Sequence, residues 1–123
     1  MLHGRLLAES MKVGRDLQVA GLRLTHLGRH DVSGSVSATQ AGVWTFVDYE
    51  PPDEVADELA RQLARILVPE DGWYADFEVG DDHVVVFADA IFRYRKGDTA
   101  ARQRAVDHGL AAGTPAHQLD WGE

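Results

Sequence analysis

The sequence predicts an α+β domain: a mostly antiparallel sheet in the order β-β-α-β-β-β-α, with two helices packed on one face. Three stretches carry that expectation. Residues 73–95 (WYADFEVGDDHVVVFADAIFRYR) form the densest run of β-branched and aromatic side chains, cut by turn residues into three short pieces. Residues 53–67 carry an amphipathic helical stripe directly after a strand-like run. Residues 98–112 read as a second helix that follows the three strands. Strands in runs, with helices set to one side, make a two-layer α+β sandwich. A chain of 123 residues has the size of a single domain, residues 1–123.

Taken in order, Gly4 to Glu9 has the weakest strand pattern and ends in a turn at Lys12-Val13-Gly14. Leu22 to Leu27 alternates as a strand, and the pattern fades at Gly28-Arg29-His30-Asp31. Ser33–Gly42 is small, polar and without period, the composition of a mobile loop. Val43 to Tyr49 is apolar on both faces, as in a central strand. Pro51-Pro52 stops it, and Asp53 is placed to cap a helix. Val55, Leu59, Leu63, Ile66 and Leu67 then recur at spacings of four and three, with acids at the start and Arg61 and Arg65 near the end. Asp57 and Arg61 are spaced as an i,i+4 pair.

Trp73, Ala75, Phe77 and Val79 alternate with Tyr74, Asp76 and Glu78. Val84 to Phe87 are apolar on both faces, which predicts a strand covered on both. Asp89-Ala90 turns the chain into Ile91–Arg95, with Phe92 and Tyr94 opposite Ile91, Arg93 and Arg95. Asp98 or Thr99 caps the last helix, whose stripe of Ala101, Ala105, Val106, Gly109 and Leu110 is narrow and built of small residues. Gly113 ends it, and Thr114-Pro115 starts one further turn through Gln118.

Bulk properties narrow the function classes. The chain has 20 acidic residues against 12 Lys plus Arg, a net charge of −8, which repels nucleic acid. Residues 70–82 hold six acids and no Lys or Arg, while Arg93, Arg95, Lys96, Arg102 and Arg104 cluster in 93–104. Two solvated surfaces that attract each other account for that asymmetry. The absence of cysteine removes disulfides, thiolate metal sites and cysteine nucleophiles. No apolar run has the length of a membrane span and none reads as an export signal, so a cytoplasmic protein without membrane or nucleic-acid partners is expected.

The segments WYADF, VVF, IFRYRKGDT and PAHQLDW together resemble a family of small, uncharacterised bacterial proteins. In that family a tryptophan-tyrosine strand precedes a hairpin, a helix and a terminal Gln-Leu-Asp-aromatic motif. The resemblance covers about residues 72–121 and implies a fold but no activity.

The candidate site residues follow from the aromatic-acid clusters: Trp73, Tyr74, Asp76, Arg93, Arg95, Asp120 and Trp121. In a regular meander Asp76 would share an outer face with Arg93 and Arg95, as a cross-strand ion pair or a bracket for a small ligand. His26 and His30 have a metal-like spacing, but four residues of strand separate them by about 13 Å, so no metal is expected. His108 and His117, near Asp120, could orient a general base, although a histidine favoured by a helix C-terminus is the plainer account. No phosphate loop, nucleophile elbow or H-E-x-x-H is present.

The expected function is a non-catalytic binding or protein-interaction module without cofactor, with a protein partner, a second copy or a small ligand. The competing reading is a small-molecule enzyme whose pocket lies between sheet and helices and uses His26, Asp76 and Arg93.

Overall fold

The structure is a computed structural model that describes residues 2–36 and 40–119. Asp120 and Trp121 therefore lie outside the described residues. Six strands, His3–Leu7 (β1), Arg23–Asp31 (β2), Val43–Glu50 (β3), Ala75–Val79 (β4), Asp82–Phe87 (β5) and Ala90–Arg95 (β6), form one sheet. Its order is β2-β3-β1-β4-β5-β6, and every pairing is antiparallel. Helix α1 (Ala56–Ile66) joins β3 to β4, and α2 (Thr99–Ala111) follows β6.

The weakest expected strand is the one that unites the sheet. β1 pairs β3 on one side (Gly4 with Tyr49) and β4 on the other (Gly4 with Phe77). Gly4 is required there, because a Cβ would fall 2.4 Å from Tyr49 Cζ. Tyr49 lies beneath the strand at 1% exposure.

The α+β class, the antiparallel sheet and both helices are as expected. Their placement differs in one respect: α1 and α2 take opposite faces of the sheet rather than one. Val84 and Val86 join Leu6, Tyr49, Leu59, Leu63 and Phe77 in the core under α1. Val85 and Phe87 point the other way and pack with Tyr94 and Ala105 under α2. The cause is the doubly apolar β5, which needs cover on both sides.

Local details also shift. β2 continues through Gly28 to Asp31, because its backbone is held by β3 along that length. A 3-10 turn at Asp53–Val55 precedes α1, so Val55 stands at the cap position without a side-chain capping bond, instead of Asp53. Arg61 pairs with Glu58 at 2.9 Å rather than with Asp57, which reaches Arg93 at 3.4 Å. Asp98 does cap α2, accepting from Ala101 N–H at 3.0 Å. The Thr114-Pro115 signal leads into a 3-10 turn at Ala116–Gln118, as expected.

Candidate functional site

On the face that carries α2, the helix covers β5 and β6, and a pocket of about 320 Å³ lies over β3, β1 and β4. That is the low end of small-ligand sites. Strand alternation supplies its floor. Trp44 and Phe46 from β3, Arg5 and Leu7 from β1 and Asp76 from β4 all project to this side, with Trp73 and Tyr74 entering just before β4. The rings of Trp44 and Trp73 stand 5.5 Å apart and tilted by 59°, and Trp44 Nε1 donates to the Ala41 carbonyl at 2.8 Å.

The rim is built from segments distant in sequence. The Ser35 carbonyl accepts from Gln118 Nε2 and from His117 Nε2, each at 2.6 Å. Buried Gln40 donates to the Asp71 carbonyl at 2.8 Å and accepts from Gln118 Nε2 at 3.0 Å. Tyr74 donates its hydroxyl to the Gln118 carbonyl. The described parts of the 33–42 segment are thus tied to the C-terminal turn.

Two charged arrangements meet in the pocket. Arg5 donates to both carboxylate oxygens of Asp48, at 2.6 and 3.1 Å, and lies 5.0 Å over the Phe46 ring. The hydrogen bond with Arg5 holds Asp48 below the usual carboxylate range, and the same bond raises the guanidinium. Asp76 is held differently. Its Oδ2 lies 2.8 Å from His83 Nε2, and His83 Nδ1 lies 2.7 Å from the Tyr94 hydroxyl. Burial raises the Tyr94 phenol, so it stays protonated. His83 thus bridges the two, with Nε2 on Asp76 and Nδ1 on the Tyr94 hydroxyl, and both ring nitrogens have partners. His83 and Tyr94 are buried, while the Asp76 side chain keeps 37% exposure and lines the cavity.

Of the residues expected in a site, Trp73, Tyr74 and Asp76 come together. Arg93 and Arg95 do not join them. The β5–β6 register sets Val85, the partner of Asp76, opposite Phe92, so the two arginines project to the other face. There Arg93 binds Asp82 at 2.8 Å, while Lys96 meets Glu78, on the Asp76 face, at 3.0 Å, so the acidic and basic stretches do attract each other. His26 sits on the outer strand β2, away from the pocket lining. His108 packs on Phe87 and Phe92, with ring centroids at 4.7 and 5.2 Å, and so does not join His117 as a base.

Arg5, Trp44, Phe46, His83 and Tyr94 escaped the sequence reading. His83 alone left a signal. A histidine opening a strand covered on both faces must find partners, and Tyr94 lies one strand away. Comparison with protein-family models, curated proteins and solved structures finds no match.

Proposed function

We propose that the chain is a non-catalytic cytoplasmic binding module whose pocket takes a small ligand with a flat apolar group and a cationic end. Asp76 carries the reading. It is a carboxylate oriented by a buried histidine at the wall of an aromatic cavity, and one guanidinium, Arg5, serves both it and Asp48. The three groups leave one negative charge in excess. Aromatic faces with a carboxylate favour an ammonium or amidinium. The rings of Trp44, Trp73 and Tyr74 supply the apolar contact area that such sites use for affinity. The net charge of −8 also raises the local concentration of cations. In support, no helix among the described residues is long and apolar enough to cross a membrane. The test is tryptophan fluorescence titrated with phenethylammonium and, in parallel, with 3-phenylpropionate. The proposal expects a saturable response to the first and none to the second; equal responses contradict it.

The enzyme reading keeps one specific support, the Asp76–His83–Tyr94 chain, which can hold Asp76 as a general base at the cavity wall. Of its earlier trio only Asp76 lines the pocket. A substrate bound by wild type and His83→Gln alike, but converted only by wild type, would favour catalysis over binding.

A further inference from the structure

We propose that His26 and His30 form a two-histidine site for a divalent transition ion, with Gly28 as its floor. Sequence spacing argues against such a pair, since four residues of strand set their Cα atoms about 13 Å apart. Gly28 removes the obstacle. It lies midway between them on the same face, and a Cβ built on it would fall 2.9 Å from His26 Nε2 and 3.2 Å from His30 Nε2. Both imidazoles therefore lean inward over the one residue that has no side chain, and their Nε2 atoms converge on a common point.

Zinc bonds to histidine nitrogen at about 2.0–2.1 Å, and with the two Nε2 atoms 2.9 and 3.2 Å from one point, rotation of both exposed side chains can bring them onto a shared ion. Neither imidazole makes a hydrogen bond or ion pair among the described residues, so both Nε2 atoms are available to a metal. The Phe46 ring, 5.7 Å from that of His30, supports one imidazole from the side. β2 is the outer strand of the sheet, and both histidines are exposed, so the site opens to solvent. No group of three metal-binding side chains exists among the described residues, so water completes the coordination shell. The ions that imidazole pairs favour are Zn²⁺, Ni²⁺ and Cu²⁺. The site borders the pocket around Asp76, since Phe46 lies in the pocket lining and His26 stands opposite Asp48, but neither histidine lines that pocket.

The experiment is a Zn²⁺ titration of the full chain at neutral pH, followed by calorimetry and by the ring resonances of its six histidines. One ion per chain should bind, shifting the His26 and His30 signals. Affinity should fall at least about tenfold in His26→Gln and in His30→Gln, two exposed substitutions whose folding circular dichroism checks. Gly28→Ala should weaken binding too, because its methyl group displaces His26 Nε2, whereas His3→Gln should leave it intact. Absence of saturable binding, unchanged affinity in both glutamine variants, or shifts confined to the other four histidines would each overturn the proposal.

Discussion

Replacing Gly4 with alanine tests how the two halves of the sheet are joined. The new Cβ would fall 2.4 Å from Tyr49 Cζ and 2.5 Å from Cε2 and Oη. Carbon contacts are comfortable near 3.5–4.0 Å, so the ring or the strand must move by about 1 Å. The ring has little room, since Tyr49 is 1% exposed and shares the core under α1. The strand has little more, because β1 is paired on both edges. Overpacking of this kind costs about 1–3 kcal/mol, and the fixed surroundings place Gly4→Ala at the upper end. For a domain of this size that lowers Tm by roughly 10 °C. Thermal and urea melts of Gly4→Ala, beside Gly34→Ala as a control with nothing within 4 Å of its Cβ, measure the difference. In a Tyr49→Leu background, which lacks the three clashing atoms, the added cost of Gly4→Ala should largely vanish. A Gly4→Ala protein that melts like wild type, or a cost unchanged in the leucine background, would refute the placement of β1 over Tyr49.

Leu59→Ala and Leu63→Ala should each cost about 2–5 kcal/mol in denaturant melts, since both leucines have 0% exposure in the core under α1. Tyr49→Phe should leave the melting point unchanged or raise it, because the buried Tyr49 hydroxyl has no hydrogen-bond partner among the described residues. The Arg5–Asp48 pair has a definite pH signature. The hydrogen bond with Arg5 lowers the folded-state pKa of Asp48, so its stabilisation is complete above the unfolded carboxylate value and is lost as pH falls through the lowered one. The stability gap between wild type and Asp48→Asn should therefore narrow in acid.

Elements whose stability is local were legible in the sequence. The stripe from Leu59 to Leu67, the cap at Asp98 and the alternation through Ala75–Val79 each announce themselves within one turn or one strand. β1 was faint because its five residues owe their strand to backbone partners on Tyr49 and Phe77, which no local pattern displays. The extension of β2 through Gly28 has the same origin. The site was half legible. Tyr74 and Asp76 share one face by the period of two, and Trp73, of the opposite parity, joins them because it precedes β4. Arg5, Trp44 and Gln118 reach the same cavity only through the sheet order and the C-terminal turn. Register was the other hidden quantity. Pairing Val85 with Phe92 sends Arg93 away from Asp76 and brings Tyr94 to His83. A shift of one residue reverses every such assignment.

Calorimetric titration of wild type and Asp76→Asn with phenethylammonium tests the central claim most directly, with the indole N–H resonances of Trp44 and Trp73 recorded alongside. The pocket reading predicts a single site, shifts of both indoles, and an affinity at least about tenfold lower in Asp76→Asn, equivalent to about 1.4 kcal/mol. Equal affinity in the two proteins, or binding that leaves both indole signals in place, would contradict it.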